Sequence, residues 1–88
     1  MSTKINIYCL IENDGNFRGV YSSLKAAHRD ALNVCNRGHR NILVEANGRY
    51  QKADLPDVRS LFQGKAEKTI RYVSGRYGVY LIKTKLKE

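Results

Sequence analysis

The chain has 88 residues, with sixteen Lys and Arg against eight Asp and Glu, a formal charge of +8 and 42% apolar side chains. That length makes one domain, residues 1–88, and the apolar share excludes a disordered chain. No apolar run approaches the roughly 18 residues of a membrane span. The positive excess is uneven: residues 1–45 carry six basic and four acidic side chains, and residues 46–88 carry ten and four. A charge excess gathered in one half points to a polyanionic partner.

The opening Met1-Ser2-Thr3-Lys4 leads straight into strand-like residues instead of an apolar leader. Two cysteines, Cys9 and Cys35, lack paired spacing, as expected for reduced thiols. The expectation is a soluble cytoplasmic protein.

Residues 4–12, KINIYCLIE, alternate as a strand. Ile5, Ile7, Cys9 and Ile11 are assigned to the core face, and Asn6, Tyr8, Leu10 and Glu12 to the other, partly covered face. Asn13-Asp14-Gly15-Asn16 is a turn, and residues 17–21 return as a second strand. Ser22 or Ser23 then opens a helix that Gly38 closes. Leu24, Ala27, His28, Ala31, Leu32 and Cys35 form its apolar face.

Residues 41–46 form a third strand, and Asn47-Gly48 is a type I′ hairpin signal that folds residues 49–52 back as a fourth. Asp54-Leu55-Pro56-Asp57 interrupts the sheet, and residues 57–63 suit a short second helix ended by Gly64. Strands at 68–73 and 77–85 flank Ser74-Gly75-Arg76. The predicted architecture is α+β: an antiparallel sheet with one main amphipathic helix packed on a face and a short second helix.

Four potential metal ligands, Cys9, His28, Cys35 and His39, lack any C-x-x-C or H-x₃₋₅-H spacing, so no metal or other cofactor is expected. Cys35 and His39 lack an orienting acid for nucleophilic catalysis. The acidic residues are scattered singly, and no glycine-rich phosphate loop is present. A binder is therefore expected rather than an enzyme. A small nuclease using His28 or His39 is the least favoured alternative.

The candidate binding residues combine cations with tyrosines: Arg49, Tyr50, Lys52, Lys68, Arg71, Tyr72, Arg76, Tyr77, Lys83 and Lys85. Lys and Arg neutralise phosphates, and Tyr rings are platforms for unpaired bases. No helix-turn-helix, zinc-finger or leucine-zipper pattern is present to enter a DNA major groove, which favours RNA. For the row Lys83, Lys85 and Lys87, a plainer reading competes, in which the last strand is a sheet edge protected by lysines. Edge protection does not call for Arg49, Arg71 and Arg76 beside tyrosines. A direct docking module for an acidic host protein is the main alternative function.

In length, in its strand–strand–helix–strand opening and in its late cluster of charge, the chain resembles small early proteins of T-even-type bacteriophages. Within these it is most similar to the TifA-like antagonists of the ToxN endoribonuclease of type III toxin–antitoxin systems. The resemblance implies a non-catalytic homodimer that binds RNA through a basic surface and blocks a host endoribonuclease toxin together with that RNA. A domain this short has a thin core, which independently makes dimerisation a natural supplement.

Overall fold

The computed structural model describes residues 5–36 and 41–86. In chain order the elements are β1 (Ile5–Glu12), β2 (Phe17–Tyr21), α1 (Leu24–Cys35), β3 (Leu43–Ala46), β4 (Arg49–Lys52), α2 (Leu55–Phe62), β5 (Lys68–Ser74) and β6 (Tyr77–Leu86). The strands form a single antiparallel sheet in the order β2-β1-β6-β5-β3-β4. The fold is α+β, as expected. Gly38, His39 and Lys87, to which helix-ending, chemical and charge roles were assigned, lie outside the described residues.

Local chemistry accounts for the element ends. Ser23, in extended conformation, caps α1 by accepting from the backbone N–H of Ala26 at 3.2 Å. Pro56 occupies the first turn of α2, where its missing N–H costs no intrahelical bond. Asn47 and Gly48 both have positive φ (55° and 76°), which a type I′ turn requires. In the β5–β6 hairpin, Gly75 has φ +62°, matching the first central position of a II′ turn.

The three hairpins are local, but their assembly is not. β6 lies between β1 and β5, so the last strand bridges the first to the rest of the sheet. This overturns the edge-strand reading of Lys83; Lys85, beyond the start of β5, pairs only with Asn6 of β1. Lys83 has Tyr8 opposite it on one side and Lys68 on the other, and the sheet's true edges are β2 and β4.

One side of the sheet carries α1 and α2. Leu10, Val44, Ile70, Tyr72, Val79 and Leu81 point from the strands into this layer, against Leu24, Ala27, Ala31, Val34 and Cys35 of α1 and Val58 and Phe62 of α2. Burying each large apolar side chain contributes roughly 1.5–3 kcal/mol. The face assignment for β1 is reversed from the expected one. Leu10 is fully buried and Tyr8 packs on the core, whereas Cys9 sits half-buried on the side away from the helices. Both faces of KINIYCLIE are apolar enough to be core, so alternation left the choice to the long-range pairing.

Candidate nucleic-acid interface

The ten candidate residues separate by strand parity. Cross-strand partners share a face, and on that basis Lys68, Lys83 and Lys85 lie on the helix-bearing side, aligned with Tyr8 and Asn6. Arg49 pairs with the buried Ala46 and joins that side from β4. Tyr77, opposite the buried Ser74, also belongs there and is partly exposed. Tyr50, Lys52 and Arg71 lie on the opposite, helix-free side, and Arg76 occupies the hairpin turn. Tyr72 is fully buried under α1, so the stacking role assigned to it is withdrawn: a base cannot reach its ring.

The helix-side lysines are arranged at a cost. Lys68 and Lys83 are directly opposite each other on β5 and β6, and like charges in that position destabilise a sheet. Each ammonium turns to an oxygen. Lys68 Nζ donates to Asn47 Oδ1 at 3.0 Å, and Lys83 Nζ to the Phe62 carbonyl at the end of α2 at 3.3 Å. A carbonyl at a helix C-terminus favours a cation, which holds Lys83 beside α2. Lys83 and Lys85 are only half-buried although their strand is central and its helix-side positions Val79 and Leu81 are core.

A cleft of about 510 Å³ opens beside Lys83. Tyr8, Leu24, Pro56 and Phe62 provide its apolar surface, and Arg59, Gln63 and Lys83 its polar one. The Tyr8 and Phe62 rings meet edge to face with centroids 6.0 Å apart. Arg59, Gln63 and Tyr8 were absent from the expected site. Arg59 and Gln63 sit on or just after the short helix, away from the tyrosine-rich segments, and only the packing of α2 brings them to Lys83.

The helix-free side has a different character. Phe17 and Val20 are 62% and 53% exposed, and Tyr50 is 57% exposed. Tyr80 and Leu43 are exposed, and Ile7, Cys9, Ile11, Ile82 and Val73 are half-buried among them. Its most central cation, Arg71, is committed locally. Its guanidinium lies 2.9 Å from Glu45 Oε1 and 6.0 Å from the centre of the Tyr80 ring. Arg71, assigned to polyanion binding because edge protection does not call for it, is thus engaged by Glu45 and Tyr80.

Among the described residues, Cys9 is separated from the other candidate chemical groups. His28 and Cys35 are buried between α1 and the sheet, while Cys9 lies on the other side of it. Burial pushes the Cys35 thiol up to about 11, so it is protonated and inert at neutral pH. Among the described residues, no three His, Cys, Asp or Glu side chains are grouped to hold a metal ion. At the β2–α1 junction, the Tyr21 hydroxyl donates to Asp30 Oδ2 and Arg18 pairs with Asp30 Oδ1 at 3.0 Å. Burial and this carboxylate push the Tyr21 phenol up to about 12.

Fold and surface together define a two-layer α+β protein with cations on its helix-bearing side and an apolar open side. Comparisons with family models, curated proteins and solved structures gave no match. Among the described residues, no helix is long and apolar enough to cross a membrane.

Proposed function

We propose that the chain is a non-catalytic RNA-binding protein that engages RNA through its helix-bearing side. The observation that carries this reading is the Lys68–Lys83 opposition on two central strands, with Lys85 on the same face and Arg59 across the cleft. Edge protection does not account for Lys83, which has strand partners on both sides. A phosphate chain does, because it offsets the repulsion and releases its own counterions. Arg49 extends the charged surface toward β4. The resemblance to phage antagonists of ToxN-type toxins makes a host endoribonuclease, acting with its RNA in the host cytoplasm, the proposed target.

The helix-free side supports the homodimeric part of this reading, with a second copy of the chain as its occupant. Two copies at +8 repel each other least where their contact is uncharged. The centre of this face meets that condition, since Arg71 is paired with Glu45 and its surroundings are apolar, with Lys52 standing at the β4 edge. A standard interface takes about 800 Å² from each partner, a modest share of this molecule's 5909 Å². Dimerised back to back, each protomer keeps its basic side outward.

The direct test is binding of purified, nuclease-treated protein to unpaired RNA across a salt series. Affinity that falls steeply with salt supports the reading, and affinity that stays flat or absent overturns it. A toxin retained by the protein after complete RNA removal would favour direct docking on an acidic protein surface.

A further inference from the structure

The helices leave the end of the sheet near Tyr8 and Lys83 incompletely covered, and the cleft beside α2 combines two kinds of surface. One is apolar, made by Tyr8, Leu24 and Phe62, with the Tyr8 and Phe62 rings edge to face. The other is cationic, made by Arg59 and Lys83, and none of the described lining residues is acidic. We infer that this cleft receives one unpaired nucleotide of the bound RNA, its base against Tyr8 and its phosphate on Arg59 and Lys83. The inference rests on the RNA-binding reading and adds to it that the bases are bound as well as the backbone.

Size and chemistry agree with such a ligand. The volume falls within the ~300–1,000 Å³ range of small-molecule pockets. A nucleobase has an apolar face and a hydrogen-bonding edge, and the Gln63 amide offers both donor and acceptor to that edge. Lys83 donates to the Phe62 carbonyl, yet an ammonium has three N–H groups, so a phosphate contact does not require that bond to break. Lys85 and Lys68 flank Lys83 on the same face and lie where the neighbouring phosphates of a strand would run. An acyl chain, the other amphipathic anion of this size, would leave the Gln63 amide desolvated without a partner.

The experiment compares two probes of equal charge: an oligouridylate of about twelve nucleotides, within the usual site sizes, and an abasic ribose-phosphate chain of the same length. Binding is read by fluorescence anisotropy at one moderate salt concentration. The expected result is that the base-bearing RNA binds at least about fivefold more tightly, as stacking of one base would give. Tyr8→Leu should bring it down to the abasic level, whereas Lys83→Met should weaken both probes alike. Gln63→Ala, at an exposed position, gives the same comparison as Tyr8→Leu without touching the core. Equal affinity for the two probes, unchanged by Tyr8→Leu and Gln63→Ala, would overturn the nucleotide cleft and leave RNA binding standing. Failure of both probes to bind would overturn both readings.

Discussion

His28 Nδ1 lies 2.6 Å from the Tyr72 hydroxyl, joining α1 to β5 inside the core. Burial lowers the His28 pKa below its usual value and raises that of the Tyr72 phenol. The stable arrangement is therefore a neutral imidazole accepting from a protonated phenol. The two residues that sequence patterning offered as a catalytic histidine and a stacking tyrosine are instead partners in packing. Tyr72→Phe would leave the imidazole nitrogen buried without its donor, at a cost of about 1–3 kcal/mol measurable by urea unfolding. RNA affinity should not change.

The same pair predicts a pH dependence. Because the folded-state pKa of His28 is depressed, the unfolded chain binds more protons once pH falls below about 6.5. Its contribution to stability is complete above that value and is lost as pH falls toward the folded-state pKa. Unfolding free energies of the wild type and His28→Gln, measured at intervals from neutral to acidic pH, should differ in slope through this window. Parallel curves would remove His28 as the cause.

Val20 on β2 lies directly opposite Cys9 on β1, on the helix-free side. Val20→Lys places a charge on a residue already 53% exposed, so the protomer should fold normally. Sedimentation should show the wild type as a dimer that dissociates on dilution, and the variant as a monomer at every concentration. A wild type that stays monomeric at high concentration would leave the apolar face to a different occupant.

Lys85→Met and Lys68→Met should each lower the steepness of the salt dependence of RNA binding by about 0.7, the increment for one phosphate on a single strand. Arg71→Ala should leave it almost unchanged, because Arg71 already serves Glu45 on the other side of the sheet. The reverse outcome would move the interface to the helix-free face.

Gly48→Ala isolates a backbone effect. A Cβ at this position would meet nothing within 4 Å, but φ is +76°. The expected cost is about 1–2 kcal/mol, seen as a lower melting temperature, and Gly48→Asn should be milder because Asn tolerates the left-handed region.

Sequence by itself determined the short-range features. All eight elements were legible, because turn chemistry at Asn13–Asn16, Asn47-Gly48 and Ser74–Arg76 and the cap at Ser23 act within a few residues. Net charge and its concentration in the second half were equally plain. Tertiary structure alone decided which face of each strand is core and which strand is central. Alternation defines two faces but not their partners, and in Ile5–Glu12 both are apolar. Pairing β1 with β6 turned Leu10 inward and Cys9 outward, and it moved Lys83 from a supposed edge to the middle of the sheet. The same long-range contacts buried Tyr72, gave Arg71 to Glu45 and brought Arg59 to the cleft at Lys83, separating the row of cations read along the chain into two faces.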